Sequence, residues 1–378
     1  MGELTRRQLL RLGMCGSAAG LASGLVGPTG PARARIGDVS DHPARFWEPT
    51  GGTDLQCRLC PRGCRVKAGE RGFCGSRENV GGKYIVRVYG KPCVAFVDPV
   101  EKDPFFHFLP ASKTLAVGTA SCNLDCRYCQ SYQFAQARPE ETDNKDLPPE
   151  RLVAEAKRLG LKLITFTYSE PTQAIEYVID TAALAKEHGI RTTVHTAAYI
   201  EPQPLLEMCR DLAAVNIDLK AMSDEFYRTV TGGQLAPVLE AIKAIRKLGV
   251  WLELTNLVIP GHNDSPAMVK KMARWIRDNV GAETPLHLSM FFPTYKMLSV
   301  PHTPKETLRE LRKVAYDEGL RYVYVGNVPG DPAESTYCPK CHAKVIKRIG
   351  YSQTRNTGLD VKNGRCAFCG LKIPGVWR

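Results

Sequence analysis

Some absences narrow this 378-residue chain before any motif is considered. Past the N-terminus, no stretch approaches the ~20 consecutive apolar residues of a membrane-spanning helix. The poverty in hydrophobic residues that marks disordered chains is also missing, because 43% of residues are hydrophobic. A third absence is more pointed. Cys122, Cys126 and Cys129 stand at C-x3-C-x2-C in one short loop, and no fourth cysteine follows closely; the next is Cys209. Iron–sulfur cubes are usually held by four thiolates. Three thiolates would leave one iron with open positions, and an open position separates a catalytic metal site from a closed structural one. A structural zinc loop that borrows its last ligand from elsewhere is the plainer alternative.

What is present begins with charge and sulfur. Lys and Arg exceed Asp and Glu by 51 − 39 = 12. Residues 1–34 contribute four of the arginines against one acid, and bound thiolates would add negative charge. The other basic residues are scattered among acids on expected helix faces, so a solvated surface is a better reading than a nucleic-acid site. Of the fourteen cysteines, eleven fall into three tight groups: Cys57/Cys60/Cys64/Cys74, Cys122/Cys126/Cys129 and Cys338/Cys341/Cys366/Cys369. Spacings of C-x2-C and C-x3-C read as metal binding rather than disulfides. Cys15, Cys93 and Cys209 are single, and the last two are expected to be buried small hydrophobes.

In chain order, residues 1–34 read as a twin-arginine-type signal: Thr5-Arg6-Arg7-Gln8-Leu9-Leu10-Arg11, an apolar run from Leu12 to Val26, and a small-x-small site at Ala32-Arg33-Ala34. Export follows, to the periplasm or a membrane-tethered state, with a frayed basic terminus on a cytoplasmic protein as the alternative. Residues 35–110 form an N-terminal Cys-rich segment whose C-x2-C-x3-C-x9-C pattern suits zinc or an additional iron–sulfur cluster. Lys83–Tyr89 reads as a strand, and His107, in an aromatic run, as a packed residue. Residues 111–330 alternate strands (Thr114–Thr119, Leu163–Tyr168, Arg191–His195, Ala214–Leu219, Trp251–Ile259, Leu286–Phe291, Arg321–Val325) with helices (Pro149–Leu159, Thr172–His188, Pro202–Leu212, Pro237–Leu248, Ser265–Val280, Pro304–Glu318). The helix Thr172–His188 is expected to bury Ile175, Val178, Ile179 and Ala182 and to turn its charges outward. Such alternation implies parallel βαβ units. The segment is shorter than the ~250 residues of a full eight-fold barrel, so a partial (β/α)6-type barrel is expected. Residues 331–378 read as a separate zinc-ribbon-like module, built on the knuckles Cys338-x2-Cys341 and Cys366-x2-Cys369, with His342 a bystander.

The loop Cys122–Gln130, with an aromatic Tyr128 before its third cysteine, resembles the radical S-adenosylmethionine (SAM) enzymes. The likeness implies a [4Fe-4S] cluster at Cys122, Cys126 and Cys129, SAM as cosubstrate and a reducing electron donor. Thr167-Tyr168-Ser169-Glu170-Pro171 stands where that family has a glycine-rich segment whose backbone meets the methionine end of SAM. Glu170 and Pro171 match; Tyr168 and Ser169 replace the glycines. Thr196, at the end of the third strand, matches one residue of a Thr-Asn-Gly segment. Asp218-Leu219-Lys220 resembles the Asp-Leu-Lys of glycyl-radical-enzyme activases. The resemblance thus implies SAM-side contacts at Tyr128, Ser169, Glu170, Thr196, Asp218 and Lys220, whereas a surface Lys220 paired with an acid is the plain alternative. His262 and Asp264 read as loop structure. With Val94–Pro110, Val323–Pro329, Thr336–Cys341 and Ile373–Trp377, the pattern is similar to the radical SAM protein of the AmmeMemoRadiSam system and to pyruvate formate-lyase activating enzymes. Glycyl-radical formation on a protein is the substrate class this implies. Radical modification of RNA or a small molecule, and a non-enzymatic metal-bound scaffold, are the rivals.

Overall fold

The computed structural model describes residues 36–378, so the expected export signal and Cys15 lie outside the described residues. Its centre is an eight-stranded sheet: β1 (Pro92–Pro99), β2 (Lys113–Thr119), β3 (Leu163–Phe166), β4 (Arg191–Thr196), β5 (Leu212–Asp218), β6 (Trp251–Val258), β7 (Leu286–Met290) and β8 (Val323–Gly326). Spatial order equals chain order. β1 runs antiparallel to β2, and every later pair is parallel. β1 and β8 do not pair, so the barrel is open, as its length requires. The longer helices between strands are α1 (Pro149–Arg158), α2 (Ile175–Glu187), α3 (Pro202–Cys209), α4 (Leu235–Leu248), α5 (Pro266–Asn279) and α6 (Lys305–Asp317). The parallel strands are almost wholly buried, which explains why they read as continuous apolar runs rather than alternating ones.

Several expectations change in detail. The strand read at Lys83–Tyr89 ends at Val86. The helix read from Thr172 starts as a single 3-10 turn, Pro171–Ala174, and turns α-helical at Ile175. Its charges do not all face water. Glu176 is fully buried and forms a two-pronged ion pair with Arg77, at 2.5 and 3.0 Å, which fastens the Cys-rich segment to the barrel. Ile179, expected in the core, is only half-buried. Cys209 is buried as expected, but Cys93 is half-buried, with its thiol 3.5 Å from the Gly118 carbonyl.

The tail is not separate. Its strands β9 (Thr336–Tyr337), β10 (Lys344–Ile349) and β11 (Gln353–Asn356) form one small antiparallel sheet. Val345, Ile346, Leu359 and Ile373 bury themselves against Phe106, Tyr322 and Tyr324 of the barrel. Forty-eight residues bury too little surface alone, so the tail completes its core with the barrel's aromatic rings. His107 is packed as expected: its ring bonds the Pro374 carbonyl at 2.7 Å and the Tyr324 hydroxyl at 2.5 Å, and burial lowers its pKa to about 4. Beside it, the buried Glu253 carboxylate accepts from Phe106 N, His107 N, Trp251 Nε1 and His287 Nε2, at 2.8–3.0 Å. Four donors offset the cost of burying that charge and seal the lower end of the barrel.

Candidate functional site

The upper end of the barrel, where the parallel strands finish, holds a cavity of about 360 Å³. Cys122, Cys126 and Cys129 all line it. Their loop follows β2 directly and is anchored by other segments. Asp125 N and Arg127 N donate to the carbonyls of Thr231 and Val230, each at 2.9 Å, and Asn123 Nδ2 donates to Tyr199 O at 2.7 Å. Arg62 reaches in from the Cys-rich segment, and its guanidinium donates to Asn123 O and Gly232 O, both at 2.6 Å. Leu124 N points at the Cys122 sulfur, 3.4 Å away. A loop tied at so many points holds its sulfurs without a ligand to organise it, as a preorganised site requires.

Every residue expected to contact a cosubstrate lies on this cavity: Tyr128, Ser169, Glu170, Thr196, Asp218 and Lys220. Their geometry separates two sorts. Glu170 is buried, and its carboxylate accepts from Thr172 N, Thr172 Oγ1, Thr196 Oγ1 and Ala197 N. Those four bonds occupy it and fix the shape of two strand-end loops. Ser169 likewise donates inward, to Thr119 O at 2.7 Å. Lys220, Asp218 and His195 instead form a charged chain along the wall. Lys220 Nζ lies 3.0 Å from Asp218 Oδ2, and His195 Nε2 lies 2.9 Å from Asp218 Oδ1. Lys220 is therefore paired with an acid, but it faces the cavity rather than the outer surface. Burial opposes the charge on Asp218, yet Lys220 and His195 outweigh it and hold the carboxyl well below its usual range. Burial also opposes the charge on His195, and Asp218 outweighs it, so the imidazole pKa is raised. The Lys220 ammonium lies 5.8 Å from the centroid of the Tyr128 ring.

The same wall carries residues that sequence reasoning missed. Asp103, Thr255, Ser289, Asn327 and Tyr351 all line the cavity. Asp103 is 2% exposed, its Oδ2 has no hydrogen-bond partner, and burial raises its pKa to about 7. Tyr351, between β10 and β11, brings the tail to the cavity, where its hydroxyl donates to Asn327 Oδ1. One backbone signal marks the rim. Ser121, Tyr168, Ala198 and Asn327 all have positive φ, at 79°, 66°, 51° and 60°. Non-glycine residues pay for that conformation, and such strain gathers at functional sites.

The four tail cysteines present a different geometry. All four sulfurs lie within 4.8 Å of one another, with Cys338 Sγ–Cys369 Sγ at 3.5 Å and Cys341 Sγ–Cys366 Sγ at 3.6 Å. These separations exceed a disulfide bond of ~2.05 Å and suit a single tetrahedral ion at Zn–S ≈ 2.3 Å. Among the described residues no other cysteine group is drawn so close, the cavity cysteines included. His342 is not part of this group, and Gly261 N donates to Asp264 Oδ1, which makes Asp264 a loop-former.

The chain is similar in sequence to known proteins. The profile of the radical SAM superfamily matches residues 117–276. The chain is 43% identical, over 333 residues, to an uncharacterized protein of Methanocaldococcus jannaschii, covering 88% of this chain and 99% of that one. It is 26% identical over 163 residues to a pyruvate formate-lyase-activating enzyme of Clostridium pasteurianum, covering 42% of this chain and 66% of the relative. Among solved structures, a radical SAM methyltransferase from Sphaerobacter thermophilus aligns with TM-score 0.47 and 17% identity over 76% of each chain.

Proposed function

Because the chain belongs to the radical SAM superfamily and is an enzyme of that kind, we propose that Cys122, Cys126 and Cys129 hold the [4Fe-4S] cluster, and the cavity beside them the SAM, that this family implies. The residues fit such a group. Three thiols at one strand end share a cavity, with no fourth cysteine on its wall among the described residues, and they are not drawn into the close group that the tail cysteines form. When bound, a cluster with an open iron supplies the electron for reductive cleavage of SAM and so the start of radical chemistry.

The protein's own residues do the rest. The Thr167–Glu170 backbone and Thr196 shape one wall, with Glu170 acting from behind it as the brace. The Lys220–Asp218–His195 chain offers fixed charges to a zwitterionic cosubstrate. Lys220, opposite Cys126 and Tyr128, also places positive charge near thiolates that must be deprotonated to bind metal. Tyr351 and Asn327, bonded to each other, complete the lining from the tail side.

The observation that carries this reading is the convergence of the three-cysteine loop and the parallel strand ends on one cavity. Formation of 5′-deoxyadenosine by the reduced, reconstituted chain tests it. A glycine in a protein is the substrate we favour, supported by the 26% identity to an activating enzyme and by Asp218-Leu219-Lys220. Radical modification of RNA or a small molecule is the rival, and a salt-sensitive RNA affinity would mark it. The particular likeness to the AmmeMemoRadiSam-system protein belongs to the same proposal. So does zinc at Cys338, Cys341, Cys366 and Cys369, for which the sulfur spacing is the support. The four N-terminal cysteines form a further metal site in this reading. Export by the twin-arginine route is also proposed; a reporter fused to residues 1–40 that stays inside the cell would reject it.

A further inference from the structure

The Cys-rich segment packs its own sulfur group against the cavity loop. Cys57 and Cys60 are buried, while Cys64 and Cys74 are half-buried. Cys74 and Cys122 line one surface cavity of about 690 Å³, so the two cysteine groups share a wall. Arg62 joins them, since it lies between Cys60 and Cys64 in the chain and donates to the carbonyl of Asn123, next to Cys122. Its guanidinium also stacks 3.4 Å from the centroid of the Phe73 ring, and Phe73 is 53% exposed. The group therefore reaches from solvent to the cavity loop.

Its spacing argues about its contents. A zinc ion at about 2.3 Å from four tetrahedral thiolates draws the sulfurs to roughly 3.8 Å from one another. The tail cysteines meet that condition; among the described residues, Cys57, Cys60, Cys64 and Cys74 do not form such a close group. In this they match the cavity loop, not the tail. The segment itself offers more than thiols. The Tyr84 hydroxyl and Arg77 Nε are buried without partners, and Ser76 Oγ and Phe73 N point at the Cys74 and Cys64 sulfurs at 3.3 and 3.5 Å. Donors aimed at sulfur, with a buried guanidinium behind them, are the means by which proteins stabilise and tune iron–sulfur clusters.

We propose that Cys57, Cys60, Cys64 and Cys74 hold a second iron–sulfur cluster, which receives electrons at the Phe73 face and hands them to the cluster at Cys122–Cys129. The step is one-electron. A low-potential one-electron reductant is oxidised as the outer cluster is reduced, the outer cluster is then reoxidised as the inner one is reduced, and no bond forms or breaks. The hand-over rests on the function proposed above; the presence of the outer cluster does not.

The two are tested apart in the full chain, reconstituted anaerobically with iron and sulfide. The Cys122→Ala/Cys126→Ala/Cys129→Ala variant should keep about half of the iron and sulfide of the parent chain and give a paramagnetic signal on reduction with dithionite. Loss of all iron, with one extra zinc bound in its place, would overturn the second cluster and leave the radical SAM reading standing. The complementary Cys57→Ser/Cys60→Ser/Cys64→Ser/Cys74→Ser variant, or Cys74→Ser alone if the fourfold change misfolds, should still load the inner cluster but reduce it severalfold more slowly, followed by the bleaching of its visible absorbance. An unchanged reduction rate would overturn the hand-over. Absence of all iron from this variant in folded form, when the parent chain binds iron, would count against the radical SAM assignment of the inner cysteines instead.

Discussion

The strand-end loop and the tail each gather cysteines, yet they are built to opposite ends. In the tail, four sulfurs stand within 4.8 Å of one another, Cys338 and Cys366 are buried, and none lines the barrel cavity. In the loop, three sulfurs line a cavity wall, and the loop itself is held by bonds it donates to the carbonyls of Thr231, Val230 and Tyr199. A closed site satisfies its metal and stabilises a fold; an open one leaves a position for chemistry. The difference teaches that cysteine count says less than what the surrounding chain does. Where the fold already orders the loop, the proposed cluster would be free to react. Where the segment is small, the proposed zinc would serve structure.

Substitutions can break or sharpen that contrast. The largest effect belongs to Cys126→Ala, which should abolish detectable 5′-deoxyadenosine while leaving zinc at the tail unchanged by metal analysis. Cys338→Ala should do the reverse in metal content, losing its zinc. It should also lower stability by several kcal/mol, seen in thermal unfolding, because Phe106, Tyr322 and Tyr324 lose their cover. Retained zinc in this variant would dissolve the contrast. Glu176→Gln tests a fastening that uses no metal. It leaves the Arg77 guanidinium buried beside a neutral group, and a loss of about 3–5 kcal/mol in denaturant unfolding is expected.

Asp103→Asn should act through pH. Its folded pKa of about 7 lies above the unfolded value of about 3.9. The folded state binds the extra proton between those values, so this group lowers stability as pH rises from about 4 to 7, and the penalty persists above. Asn removes the penalty, and at pH 8 the variant should be more stable by up to about 4 kcal/mol but nearly equal to the parent near pH 4. The groups facing Asp103, which are His195, Lys102 and Asp98, remain in place. The smallest effect is that of Tyr351→Phe, which removes one hydrogen bond to Asn327 and should cost about 1 kcal/mol or less. Slower turnover with unchanged zinc would show that the tail serves the cavity as well as itself.

Much of this arrangement was legible because it is local in sequence. The loop spacing, the strand–helix alternation and the tail knuckles are each contained in a few tens of residues, and the predicted strands differ from the observed ones by only a few residues at their ends. What escaped depends on distant partners. Glu176 looked like an outward charge because Arg77, which buries it, stands 99 residues earlier. Tyr351 could not be placed on the cavity without knowing that the tail packs on the barrel. Asp103, in a stretch read as a lead into the core, has no local pattern to distinguish it. β1 was missed because its prolines, Pro92 and Pro99, sit at the ends of an edge strand, where proline is tolerated although it reads as a breaker. The positive-φ residues were invisible for a related reason: Tyr168 and Ala198 adopt a conformation their side chains disfavour, and only the surrounding bonds hold them there.

The most direct measurement is anaerobic. The chain is loaded with iron and sulfide, reduced, and given SAM, and 5′-deoxyadenosine is quantified for the parent and for Cys126→Ala. Product from the parent and none from the variant is the predicted result. A parent chain that carries its full, reduced complement of iron, binds SAM and still forms no 5′-deoxyadenosine would contradict the assignment of the strand-end loop as the seat of radical chemistry.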